Sequence, residues 1–267
     1  MTTTRAGDTR VPLGLLVPAL LGLLILLLPM VGLTLRAPWG RLTEILTSVE
    51  VLTALRLSLT TATIATGVCL VCGVPLAWLL ARSALPGRAV LRGLVTVPLV
   101  LPPVVGGVAL LMAFGRRGVV GEWLDRTFGV SLPFTTAGVI LAQAFVAMPF
   151  LIVSVEGALR TADRRYEDVA ATLGASAWTT FRRVTLPGVV PGVLAGAVLC
   201  WARALGEFGA TITFAGSFPG TTRTLPLAAY VSIGAGDTDT AIVLSLLMIV
   251  VSVAILVGLR DRWLAAP

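Results

Sequence analysis

The chain has 267 residues and a formal net charge of +7; 57% of it is hydrophobic and only 12% charged, against roughly 25% charged in a soluble domain. That balance excludes an ordinary globular enzyme, and the 20 basic residues, all Arg and clustered between apolar runs, mark membrane topology rather than nucleic-acid binding. With no Lys and no His, a Walker A P-loop, a Ser-His-Asp triad and a zinc-protease helix are ruled out.

About 20 apolar residues cross a bilayer core, and six runs have that length: Val11 to Leu35, Leu57 to Leu80, Gly93 to Gly115, Ser131 to Val155, about Val184 to Ala202, and Thr240 to Leu259. They predict an all-α, polytopic membrane protein with one transmembrane domain over residues 1–267. Arg5 and Arg10 precede the first run as they would in a secretory signal. The run is too long for one, however, and Arg36-Ala-Pro-Trp is no small-residue cleavage site, so a retained helix is expected.

In the second run, Cys69 and Cys72 form a C-x-x-C with no second pair or His to complete a site; with Cys200 they read as small buried residues. The third run holds Val97-Pro-Leu-Val-Leu-Pro102-Pro103-Val-Val-Gly106-Gly107. Proline inside a helix frees backbone groups that protein or water must satisfy in lipid. Pro102, Pro103 and Gly106 therefore mark either a span inside the bundle or along a cavity, or a kink that serves packing alone.

Orientation follows the bias of Arg between alternate loops. With both termini cytoplasmic, that side holds twelve (Arg5, Arg10, Arg82, Arg88, Arg92, Arg160, Arg164, Arg165, Arg182, Arg183, Arg260, Arg262) and the other side seven (Arg36, Arg41, Arg56, Arg116, Arg117, Arg126, Arg223). The long polar stretch from about Arg160 to Pro187 is then cytoplasmic. Within it, Asp163 suits a helix N-cap, Glu167 and Asp168 favour the first turn, and Gly174 suits the stop. Ser176 suits the cap of a second helix that Pro187 limits. Val169 and Leu173 share a face, as do Ala170 and Gly174, giving a small apolar knob fit either to dock in another protein's groove or to lie on the membrane.

This stretch resembles the cytoplasmic EAA loop of ABC importer permeases: Asp168-Val169-Ala170, three residues, Gly174, nine residues, then Val184-Thr185-Leu186-Pro187 reproduces that family's spacing, with Asp for Glu, Val for Ala and Val for Ile. The resemblance implies a type I importer permease fold and a coupling helix seated in an ATP-binding subunit. The implied contact residues are Asp168, Ala170, Ala171, Leu173, Gly174 and Ala175, with Glu167 sharing the work of Asp168. A second stretch, Gly206-Glu207-Phe-Gly209-Ala-Thr followed by Pro219-Gly-Thr-Thr-Arg-Thr-Leu-Pro226, resembles the molybdate permeases, with sulfate and thiosulfate permeases and a tungstate importer as the competing members. It implies a plasma-membrane complex of two permease copies, two P-loop ATPases and an extracytoplasmic molybdate-binding protein. ATP and Mg would sit on the partner, and this chain would bind no cofactor or metal and catalyse nothing.

Arg203 and Glu207, four apart, can pair. A charge at membrane depth costs about 2.5–3.5 kcal/mol on insertion scales, so the pair is expected to face the bundle interior as an interhelix tie, or a gate. Gly206 and Gly209 permit a break in the helix, a pointer to a transport path. An ion-coupled secondary transporter is the rival from another class, but the spans hold few carboxylates and no apparent inverted repeat.

Overall fold

The computed structural model describes residues 13–83 and 85–263; Arg5, Arg10 and the first residues of the first predicted span lie outside them. Helix α1 (Leu13–Leu35) buries no residue over Gly14–Leu35, as an all-apolar helix can only do when lipid or another protein surrounds it. A 3-10 turn (Trp39–Arg41) and α2 (Leu42–Leu46) lead to α3 (Val49–Arg82). Ser48 caps α3 by accepting the Val51 N–H at 3.4 Å. The helix begins eight residues before the predicted span and takes in Arg56, because hydrogen bonding continues to a cap whereas hydropathy follows only the bilayer core.

The third predicted span is not one helix. Helices α4 (Arg88–Val100) and α5 (Pro103–Phe114) meet at a bend of 118°. Proline disfavours helical backbone in the residue before it; Leu101 precedes Pro102 and Pro102 precedes Pro103, and both are extended (ψ 130° and 131°). The two halves also differ in surroundings: α4 buries no residue, whereas α5 buries Gly106, Gly107 and Leu110.

A short helix α6 (Gly121–Phe128) precedes α7 (Thr136–Thr161), which starts five residues later than predicted, where Thr135 caps it. The loop that follows carries α8 (Arg165–Thr172). Beyond it α9 (Ala177–Thr180), a π-helical turn (Phe181–Thr185) and α10 (Leu186–Leu205) form one continuous apolar helix of 29 residues. Pro187 therefore does not end the second loop helix. It lies inside this continuous helix, and the wide π turn just before it carries the chain past the proline's missing N–H, which shortens the predicted loop to about 162–176. Helices α11 (Gly209–Ala215), α12 (Leu225–Gly234) and α13 (Thr238–Trp263) complete the described residues. Among the described residues, five helices are long and apolar enough to span a membrane, and six spans result when α4 and α5 count as one.

Helix α7 is the centre, with α3 and α10 packed along it around Ala62, Ala65, Cys69, Ala77, Ala147, Leu151, Val155 and Cys200. Small residues let membrane helices approach closely. A Cβ on Gly196 would lie 3.0 Å from the Ser154 Cβ, and one on Gly192 would collide with the Ala158 Cβ. Cys69 falls on the buried stripe of α3, but Cys72 falls off it and is exposed, contrary to the expectation that all three cysteines are buried.

Gly192→Ala should force α10 from α7 and destabilise the protein by about 1–3 kcal/mol, the usual overpacking cost. Thermal unfolding in detergent should show the loss, and adding Ala158→Gly should recover most of it.

Candidate functional site: two broken helices and a tethered loop

The breaks in the third and fifth spans meet. Gly106 and Gly107 on α5 and Gly209 on α11 are the points of approach: a Cβ on Gly209 would sit 2.6 Å from the Pro103 Cβ, and one on Gly107 would sit 2.6 Å from the Thr213 Cβ. A Cβ on Gly106 would lie 3.2 Å from the Phe145 ring of α7. Beneath them Leu110, Ala142, Val146, Ala210 and Phe214 form a small core joining α5, α7 and α11. Pro102, Pro103, Gly106, Gly206, Glu207 and Gly209, separated by a hundred residues of sequence, thus belong to one locus.

The break between α10 and α11 is held by Glu207, whose residue surface is 1% exposed. Its Oε2 lies 2.7 Å from the Arg203 guanidinium, and its Oε1 accepts the Ala210 N–H at 2.7 Å. The carboxylate therefore neutralises a cation of the helix that ends and satisfies an orphan donor of the helix that begins, where helix N-termini favour negative charge. The expected pairing is present, but it ties the two sides of one break rather than two separate spans. The Pro219–Pro226 element lies close by in sequence and is fastened similarly. Thr222 Oγ1 accepts the Phe218 N–H at 2.8 Å, and buried Ser58 of α3 accepts the Leu225 N–H at 2.7 Å.

Gln143 of α7 is fully buried with neither end of its amide hydrogen-bonded to protein, and the buried Thr211 hydroxyl of α11 is likewise unpaired. Neither is among the residues that the sequence predicts for the site. A polar side chain within an apolar run is the signal that points to them.

The loop forms the second part of the site. Asp163 accepts the Arg165 N–H at 2.9 Å, and α8 ends with Gly174 at φ +80°. There the Gly174 N–H reaches the Ala171 carbonyl and the Ala175 N–H the Ala170 carbonyl, both at 3.0 Å; this is a Schellman stop. Ser176 then caps α9 through the Thr179 N–H at 3.2 Å. Asp168, Val169, Ala171, Leu173 and Gly174 are exposed, with Leu173 83% accessible, while Ala170 and Ala175 are half-buried.

Glu167, rather than Asp168, faces inward. Its Oε1 lies 3.1 Å from the Arg82 guanidinium at the end of α3 and accepts the Thr185 hydroxyl at 3.1 Å. Arg82 also donates to the Ala162 carbonyl, and Arg164 to the Ala81 carbonyl, each at 3.3 Å. A further carboxylate, Glu156 of α7, is 6% exposed and binds Arg92 of α4 and Arg160 one turn along α7. Its signal in the sequence is a lone acid at the end of an apolar run, four residues before an Arg.

Residues 73–266 match the family described as "Binding-protein-dependent transport system inner membrane component". A protein of Mycobacterium bovis named "Molybdenum transport system permease protein ModB" is 50% identical over 256 residues, covering 95% of this chain and 96% of that one. The "Sulfate transport system permease protein CysT" of Escherichia coli is 34% identical over 240 residues, 89% of this chain and 86% of the relative. Among solved structures, a bacterial ABC transporter "involved in the import of the acidic polysaccharide alginate" superposes with a TM-score of 0.76 at 19% identity, covering 95% of both chains; the fold is that of an ABC importer permease.

Glu207→Ala should destabilise the protein by about 3 kcal/mol, since it leaves Arg203 unpaired and the α11 terminus uncapped. Glu207→Gln, which keeps an acceptor for the Ala210 N–H, should lose distinctly less in the same unfolding measurement.

Proposed function

Since this chain belongs to the binding-protein-dependent transport system inner membrane components, we propose that it is the membrane-spanning permease subunit of an ATP-driven molybdate importer. The observation that carries the coupling half of this reading is the loop: an exposed knob, Val169 to Gly174, stands on a rigid two-helix turn tied to α3 and the π turn by Glu167. The molybdate half is supported by the extent of likeness to the mycobacterial molybdenum permease. The sulfate permease, at lower identity, favours sulfate as the second reading.

In this proposal the chain sits in the bacterial plasma membrane with both termini and the loop in the cytoplasm. Two copies assemble with two P-loop ATPase subunits and an extracytoplasmic protein that delivers the oxyanion. Having no Lys, the chain has no P-loop of its own, and ATP and Mg belong to the partner. An importer of this kind needs a motor. Carrying a dianion inward against 100 mV, inside negative, costs roughly 4.6 kcal/mol, twice about 2.3 per charge.

Closure of the ATPase pair would move the knob. Because Glu167 bridges Arg82 and Thr185, the displacement passes to the end of α3 and to the helix that continues into α10. That helix ends at the Arg203–Glu207 break. Push on the loop and opening at the two breaks are thus joined through α10, with Pro102, Pro103, Gly106, Arg203, Gly206, Glu207 and Gly209 as the path or gate.

Gly174→Arg should leave the protein in the membrane yet abolish coupling, because a long cation at a left-handed position spoils both the turn and its fit. Uptake of labelled molybdate into proteoliposomes holding the assembled complex should fall at least tenfold; unchanged uptake would remove the coupling role. In the same assay the unsubstituted complex should keep its uptake under excess sulfate, whereas strong competition would transfer it to sulfate.

A further inference from the structure

At the loop end of the bundle, Pro75 and Trp78 of α3, Ala177 and Trp178 of α9 and Phe181 of the π turn line an open cavity of about 220 Å³. Its walls are almost wholly apolar. Phe181 is its corner, with the Trp78 ring edge-on at 5.9 Å and the Trp178 ring stacked at 5.8 Å. Trp178 is nevertheless 68% exposed. The space is below the roughly 300–1,000 Å³ of a pocket for a whole small ligand, so it suits one end of a chain-like apolar group.

Its position and charge identify the occupant. Trp78 and Pro75 lie four and seven residues back from the end of α3 at Arg82, roughly 6 and 10 Å along its axis at 1.5 Å per residue, within the apolar run from Leu57 to Leu80. A soluble subunit does not reach that depth, but an acyl chain does. Next to Phe181 come Arg182 and Arg183, both exposed, and neither has an ion pair or side-chain hydrogen bond among the described residues. Of the other arginines at this end, Arg82, Arg88, Arg92, Arg160 and Arg164 are engaged by Glu156, Glu167 or a carbonyl, while Arg165, off the aromatic wall, is unpaired among the described residues like Arg182 and Arg183. Arg182 follows Trp178 by four residues, which places a free cation one turn from the aromatic wall. Tryptophan belongs at headgroup level, and basic pockets beside spanning helices bind anionic headgroups.

We propose that the Trp78–Trp178–Phe181 cavity with Arg182 and Arg183 is a binding site for an anionic phospholipid of the adjacent leaflet, the acyl chain against the aromatic rings and the phosphate on the arginines. It holds a lipid against the helix that joins the loop to α10. The proposal does not depend on which anion is transported.

The test uses the full complex, permease with its ATPase subunits, in phosphatidylcholine nanodiscs containing a small equal fraction of brominated phosphatidylglycerol or brominated phosphatidylcholine. Bromine quenches tryptophan on contact. Phosphatidylglycerol should quench more strongly, and Trp178→Phe should remove most of the excess. Arg182→Gln with Arg183→Gln, an exposed pair whose replacement spares the fold, should weaken the selective component about 30-fold at about 1 kcal/mol per cation. Equal quenching by both lipids would overturn the site. So would selective quenching seen in the isolated permease and abolished in the full complex, since the cavity would then belong to the protein partner.

Discussion

Glu207 answers the constraint on which the rest of this molecule depends. Inside a bilayer no water is at hand to satisfy a backbone N–H or C=O, so a chain that leaves the helix there must find partners in protein. At the end of α10 the carboxylate supplies both a counter-charge for Arg203 and an acceptor for the Ala210 N–H. Ser58 and Thr222 act alike for the irregular segment before α12. These side chains permit two broken spans to meet, and glycine at 107 and 209 permits the backbones to touch. The small-residue faces of α3, α7 and α10 supply the rigid frame against which such a locus can move.

The charged end obeys a related logic. Glu156 is buried and Glu167 half-buried, and each is held by arginine from a different helix. Buried ion pairs add little net stability once desolvation is counted, so geometry is the better account of their presence. Glu167 fixes the loop to α3 and to the π turn, and Glu156 fixes α4, otherwise without a buried residue, to α7. Force applied to an exposed knob is carried into the membrane only if the knob cannot slip on its base. The second tie also reaches α4, which leads directly into the 118° bend.

The sequence by itself determined the class, the span count and the loop. Length and apolarity set the spans because a bilayer asks only for about 20 apolar residues. The cap at Ser176 and the left-handed Gly174 are local chemistry, legible within a few residues, whereas Asp163 makes a turn to the Arg165 N–H one residue ahead of the Arg164 cap. The Arg203–Glu207 pair was legible too, being one helical turn apart. Tertiary structure alone decided the rest, because each remaining feature joins residues distant along the chain. Pro102 and Pro103 signal a break, but only packing sets its angle and brings it to Gly209. Pro187 signals a helix end, yet a π turn carries the helix through it. Glu167 and Asp168 are equivalent in sequence, and only the placement of Arg82 and Thr185 turns one inward and leaves the other in solvent. The tie of Glu156 to Arg92 became visible only when α4 folded back, since an ion pair 64 residues apart has no local signature.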